Sequence, residues 1–451
     1  MMQTLQYSHF KVRPLILALA VSGLFVSGLN TAKAAENTET QVIEANAVSS
    51  LPSPLTLQSL LALPLSVSPQ VLMQQAQADA ASAKAQQQNA QDALEVNLQG
   101  RLAWREYAQQ TEDFHLLALH VGKQLYDFGQ SSSAYEAQQK FSEAEATLID
   151  DQISQYQLRI MRNFFNVLLA DMQYRVENEA MAVSYVSLDK AKDRLELKRI
   201  SEVDYLKLEA EYQSIYVNRE RASYEQRRTR SLLVNMVGQP QNLPDKLVLP
   251  NLKTYENRQL DVLEKYQTQA LAQNVQLQSL KLKQQAAFCT LESEAAGNKP
   301  TVRMDAWGGK LSSYEKIREG AWRFDLSIDV PLYDDGMVSS KVSQAKAELQ
   351  KINAQIALLE QNLRDDVANI YFKLQISAAE RKQNQAFGAY SDLYLDLSRA
   401  LYENESTTDL GDAMVRVTQA NLQVMQQEFS QALNWAQLDY LTGQKLSLAA
   451  L

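Results

Sequence analysis

The residues able to do chemistry are few and scattered. His115 and His120 are the only histidines after residue 34. Five apart on a strand, they face opposite ways and share no metal site, so neither is assigned a role. Cys289 is the single cysteine and cannot form an intramolecular disulfide. No Ser/His/Asp set, glycine-rich phosphate loop or cysteine cluster occurs, so no enzyme, metal or cofactor is expected. Asp409 and Asp412, three apart at the start of a helical stretch, share a face. Two readings stand for them. Acids in a first turn favour the helix dipole, with Thr407 or Thr408 as cap. Carboxylates gathered around a symmetry axis would instead repel each other and attract cations. Asp204 is the first-half counterpart of Asp409.

The other charged residues of interest alternate with apolar ones. In 322–332, Trp322, Phe324, Leu326, Ile328, Val330 and Leu332 alternate with Arg323, Asp325, Ser327, Asp329 and Pro331. Residues 96–105 do the same: Val96, Leu98, Gly100, Leu102 and Trp104 against Asn97, Gln99, Arg101, Ala103 and Arg105. A third strand, 301–308, places Arg303 and Asp305 between Val302, Met304 and Ala306. A fourth, 114–125, is weaker, because Lys123 shares the face of Leu117, Leu119, Val121 and Leu125. A strand sends alternate side chains to opposite faces. The expected lipid-facing set is Val96, Leu98, Trp104, Trp322, Phe324, Leu326, Ile328 and Val330. The expected lumen-facing set is Arg101, Arg105, Arg303, Arg323, Asp325 and Asp329, a mixed polar lining. Strands of about ten residues with one apolar and one polar face suit a membrane barrel. The competing assignment is a small soluble sheet packed on helices.

The rest of the chain reads as long helices. None of the ten prolines lies in 70–239 or after 331, and proline is what a helix interior excludes. From Val338 to Leu374 the apolar residues Val338, Val342, Ala345, Leu349, Ile352, Ile356, Leu359, Leu363, Val367, Ile370 and Leu374 step by threes and fours, a coiled-coil seam. The chain is also written twice. Leu125-Tyr126-Asp127-Phe128-Gly129 returns as Leu332-Tyr333-Asp334-Asp335-Gly336, 207 residues on. Val237-Gly238-Gln239 returns as Thr442-Gly443-Gln444, 205 on, and Ser68-Pro69-Gln70 more weakly as Asn274-Val275-Gln276, 206 on.

At the N-terminus, Lys11 and Arg13 precede the apolar run Leu15 to Leu29 and an Ala32-Lys33-Ala34 site, the order of a cleaved secretory signal. Losing its three basic residues takes the formal charge from −9 to −12; an acidic chain of this kind is not expected to bind nucleic acid. The expected division is 1–34 signal peptide, 35–68 N-terminal extension, 69–238 first repeat, 239–257 connector, 258–445 second repeat and 446–451 tail. Four strands cannot close a barrel, and an open edge in lipid strands backbone groups. Three chains would pool twelve.

On these motifs the chain resembles the TolC-type outer-membrane efflux family. Pro54-Leu55-Thr56-Leu57 followed by Ser68-Pro69 resembles its opening. Pro331-Leu332-Tyr333-Asp334-Asp335-Gly336 resembles its strand-to-helix turn, Ser201–Leu206 and Thr407–Ala413 its two helix-turn tips, and Leu441-Thr442-Gly443 its closing motif. Ser68, Gln124 and Val275 depart from its usual Asn, Pro and Pro, and neither tip carries its usual glycine. The resemblance implies a mainly α fold: a homotrimer with a 12-stranded β-barrel continued by a long coiled-coil α-helical barrel through the periplasm. It implies an exit duct in the outer membrane for efflux or type I secretion, docked by a periplasmic adaptor and an inner-membrane transporter. It also implies that Asp409 and Asp412 line the periplasmic constriction. The alternative function is a non-conducting periplasmic coiled-coil adaptor or scaffold.

Overall fold

The computed structural model describes residues 51–64, 68–107, 110–113, 115–238, 243–311, 320–403 and 410–445. Residues 1–34, expected to be a signal peptide, and Asp409 lie outside the described residues. In chain order the elements are α1 (Leu57–Leu61), α2 (Pro69–Gln91), β1 (Glu95–Arg101), β2 (Trp104–Tyr107), β3 (Gln110–Asp113), β4 (Leu116–Tyr126), α3 (Gln130–Glu196) and α4 (Glu202–Met236). They continue as α5 (Lys253–Glu256), α6 (Leu263–Gln273), α7 (Val275–Ala295), β5 (Thr301–Leu311), β6 (Gly320–Asp329), α8 (Met337–Glu403) and α9 (Leu410–Leu441). The internal repeat is visible in the elements: α2, α3 and α4 recur as α7, α8 and α9, and α3 and α8 each run 67 residues. At 1.5 Å per residue each spans on the order of 100 Å.

The repeated turn motif owes its form to one carboxylate. Asp127 accepts hydrogen bonds from the N–H groups of Gly129 (3.1 Å) and Ser131 (2.8 Å) and from the Ser131 hydroxyl. Asp334 accepts from the N–H groups of Gly336 (3.0 Å) and Val338 (2.8 Å). Each carboxylate thus caps the first orphan donors of a 67-residue helix. Gly129 and Gly336 take φ of 90° and 79°, a region glycine enters freely. Gln124 donates to Asp127 at 3.2 Å. At the start of each repeat, Ser68 caps α2 and Asn274 caps α7.

The helices meet along α3, which packs against α2, α4, α7 and α9, while α8 packs against α6, α7 and α9. Along α8 the expected seam points inward: Ala345, Ile352, Leu363, Val367, Ile370 and Leu374 are buried. The densest core surrounds Phe164 and Phe165 of α3 and Trp435 and Leu438 of α9, with Phe165 stacked on Phe429 at 4.3 Å. The N-terminal segment and the connector wrap this zone together. Leu55 N–H donates to Lys246 O (3.0 Å) and Val248 N–H to Leu55 O (2.9 Å). Arg258 clamps the connector to α9 by two hydrogen bonds to Asp439 (2.6 and 2.7 Å) while lying 4.2 Å from the centre of the Trp435 ring. No described helix is long and apolar enough to cross a membrane.

Strands β1, β4, β5 and β6 form one antiparallel sheet in the order β1-β4-β5-β6. Two of the expected strands end early. The stretch 96–105 is not one strand. β1 stops at Arg101, opposite Leu116, and Trp104 and Arg105 belong to a separate hairpin, β2–β3. The chain turns off the sheet because Ala103 N–H donates to His115 Nδ1 (3.3 Å) and the Trp104 ring sits edge-on to His115 at 5.0 Å. At the other end β6 stops at Asp329, paired with Thr301. Val330 lies beyond the ladder, before a proline with no N–H to give.

Candidate functional site

The register of the four-stranded sheet sorts its side chains into two faces. On one face the cross-strand rows are Leu98–Leu119–Gly308–Trp322, Val96–Val121–Ala306–Phe324 and Lys123–Met304–Leu326. Among the described residues nothing covers this face: Leu98 is 74% exposed, Trp322 76% and Ile328 64%. Val96, Phe324, Leu326 and Val330 are exposed as well. Lys123 stands exposed on it, as its spacing requires. Aromatic rings bracket the band, with Trp322 toward the β5–β6 turn and Tyr126, Phe128 and Tyr333 toward the helices, all exposed.

The opposite face is polar and organised. Asn97, His120, Trp307 and Arg323 form one row; Glu95, Gly122, Asp305 and Asp325 form the next. Arg303 binds Asp305 (3.1 Å) and reaches Glu95 (3.2 Å). Arg323 donates to Asp325 (3.0 Å). His120 Nε2 meets Asp305 at 2.9 Å. Arg101 and Asp329 lie exposed on the same face, at opposite ends of the sheet. Of the residues expected to face a lumen, Arg303, Arg323 and Asp325 are therefore joined in one network; Arg105 is off this sheet. His120, given no role by its spacing, is the network's buried member, at 7% exposed. Its signal was available: alternation put it beside the small residues Ala118 and Gly122 of the same face.

At the far ends of the helices, α3 turns into α4 through Lys198, which takes φ 53°, a region that favours glycine. Asp204 is exposed and bound to its own helix start: Ser201 Oγ donates to its carboxylate (2.7 Å) and accepts from its N–H (3.1 Å). Asp412, in the first turn of α9, accepts from Arg416 Nε at 2.6 Å. The Arg416 guanidinium lies 5.4 Å from the Tyr394 ring centre on α8. Beside it Gly411 presses on Val183 of α3, and a Cβ there would come within 2.7 Å of the valine methyls. The structure thus gives Asp204 the helix-start geometry and gives Asp412 a cation of its own chain.

Residues 267–444 match the outer membrane efflux protein family. No curated protein sequence matches the chain. Among solved structures, the outer membrane channel MtrE of Neisseria gonorrhoeae in its open state superposes with a TM-score of 0.71 at 16% identity, covering 86% of this chain and 89% of that one. The outer membrane protein VceC of Vibrio cholerae gives 0.70 at 14%, covering 86% and 96%. CusC, whose structures concern folding and transmembrane channel formation, gives 0.71 at 16%, covering 86% and 92%. At these identities the superpositions establish the fold alone, that of TolC-like channels. Fold and family match agree: the chain has the fold of TolC-like outer-membrane channels, and its residues 267–444 match the outer membrane efflux protein family.

Proposed function

We propose that the protein is a homotrimeric outer-membrane channel, the exit duct for substrates driven by an inner-membrane pump through a periplasmic adaptor. One observation carries this reading: an open four-stranded sheet whose bare face is apolar and whose other face is a charged network. A soluble protein covers such an apolar face; lipid tolerates it but does not tolerate the unpaired edges of β1 and β6. Pairing β6 of each chain with β1 of the next closes twelve strands with no edge left. The eight steps from Trp322 to Val330 span about 26 Å along the strand. At a tilt of about 40° they cross about 20 Å, near the ~25 Å apolar band of outer-membrane barrels once the flanking rings are added. The apolar residues then face lipid and the network faces water, while the long helices reach into the periplasm. A non-conducting adaptor has no use for a bare apolar sheet face.

In this reading the tips of α3–α4 and α8–α9 close the duct, with Asp409, Asp412 and Asp204 at the constriction. The Arg416 pair moderates the Asp412 charge there. The test is fractionation with stoichiometry. The mature chain is expected in outer-membrane fractions, beginning at Ala35, with native mass in detergent giving three chains. A monomer recovered from the soluble periplasm overturns the proposal.

A further inference from the structure

One cation stands on the apolar face of the sheet. Lys123 is exposed there, opposite Met304 of β5 and two residues from Val121 of its own strand. It has no hydrogen bond or ion pair among the described residues. β1 begins at Glu95, opposite Gly122, so no strand residue flanks Lys123 on that side. The next row holds a second polar group. Gln124 pairs with Arg303 but Tyr126 pairs with Val302, so β4 carries one extra residue between them. Strict alternation would have put Tyr126 on the polar face; the bulge turns it onto the face of Lys123. Tyr126 is exposed, with its ring edge-on to Phe128 at 4.8 Å. Its hydroxyl has no partner among the described residues.

We propose that Lys123 and Tyr126 hold the phosphate of a phospholipid headgroup from the periplasmic leaflet, one lipid per chain and three per trimer; this rests on the reading that the apolar face meets lipid. The internal repeat sets the depth. Lys123 lies 207 positions before Val330, which is past the last ladder pair of β6, so both stand at the helix-proximal edge of the apolar band. Sharing a row with Leu326 does not give Lys123 the depth of Leu326, because the rows of a tilted sheet climb. Two strand spacings of about 4.8 Å at a tilt of about 40° separate their levels by about 6 Å. The row of Tyr126 lies about 6.6 Å further along the strand, and a lysine stem extends along apolar surface to carry its charge that way. A cation on this face is tolerated near the interface, where headgroups supply the counter-charge. The ammonium then neutralises the phosphodiester and the phenol O–H donates a second hydrogen bond to it. The other half of the chain lacks the pair. Val330 stands in place of Lys123, and the hydroxyl of Tyr333, the counterpart of Tyr126, already donates to Asp335 at 2.9 Å.

The test uses the mature trimer in maltoside detergent, which carries no phosphate, titrated with phosphatidylglycerol and read by native mass spectrometry. The parent should retain three lipids per trimer. Lys123→Leu suits the apolar face, so its trimer should assemble at parental yield without lipid, yet its affinity for phosphatidylglycerol should fall about fivefold. Tyr126→Phe should also lose about fivefold, the worth of one hydrogen bond, and Lys123→Arg should keep the parental affinity. Equal lipid binding by the parent and Lys123→Leu overturns the proposal. Excess inorganic phosphate should not displace the lipid, and displacement would overturn the headgroup as the source of the phosphate. The underlying reading is tested separately with Leu119→Cys in a Cys289→Ser background, labelled with bimane in vesicles of acyl-brominated phosphatidylglycerol. Absence of quenching sinks the lipid-facing assignment itself; quenching together with parental affinity in Lys123→Leu sinks only the headgroup site.

Discussion

Leu326 and Ser327 are neighbours on β6 and point to opposite faces, so one cation placed at either position tests which face meets lipid. Leu326 is the middle of the five apolar positions from Trp322 to Val330, is 58% exposed and stands opposite Met304. Arginine there would lie near the bilayer midplane, at a cost of about 2–4 kcal/mol per chain. Three copies bring this to about 6–12 kcal/mol per closed barrel, comparable to the whole stability of many folds. Ser327→Arg puts the same charge on the polar face, between Asp325 and Asp329 of its own strand and opposite Arg303 of β5, where water and two carboxylates offset the one like charge. The assay is urea unfolding of trimer refolded into lipid vesicles, read on cold denaturing gels. Leu326→Arg should yield little or no trimer, and Ser327→Arg should keep the parental midpoint. Equal midpoints for the two variants would refute the assignment of faces.

Asp334→Ala removes the acceptor for Gly336 and Val338 N–H and should lower stability by about 0.5–2 kcal/mol per chain; a melting temperature equal to the parent's would show that the cap is idle. Asp412→Ala frees Arg416 at the tip and should change single-channel conductance and divalent-cation block at unchanged trimer yield, whereas unchanged currents would return Asp412 to a helix-start role. Burial, then the nearby Glu256 carboxylate, raises the pKa of Glu428, with Arg381 opposing. A carboxyl raised in the folded state destabilises above that pKa and gives the loss back as pH falls through it. Glu428→Gln should therefore melt higher than the parent at pH 8, with the gap closing toward pH 4, and a gap independent of pH would contradict this.

Much of the architecture was readable before any coordinates because single residues dictate it locally. Asp127 with Gly129 and Asp334 with Gly336 specify a turn by hydrogen-bond chemistry and a permitted positive φ, so the repeat could be found from the turns alone. Strict alternation over 322–330 fixed the two faces of β6. What escaped depends on register. Asp305 reaches His120 across 185 residues and Arg258 reaches Asp439 across 181, and no local pattern marks either pair. The β2–β3 hairpin escaped for another reason. Gln110, Thr111, Glu112 and Asp113 carry no apolar alternation, and Leu102-Ala103, where β1 ends, has neither glycine nor proline to announce a break. Lys198 shows the converse: a left-handed turn position that favours glycine is held by lysine, its N–H bonded to Leu195 O at 2.9 Å.

The most direct measurement of the central claim is single-channel current through purified trimer in a planar bilayer. Twelve strands closed around a polar lining predict discrete current steps that persist for seconds, vanish when the preparation is heated to monomer, and are absent with Leu326→Arg protein. Stable trimer that inserts into the bilayer and passes no current would contradict the account.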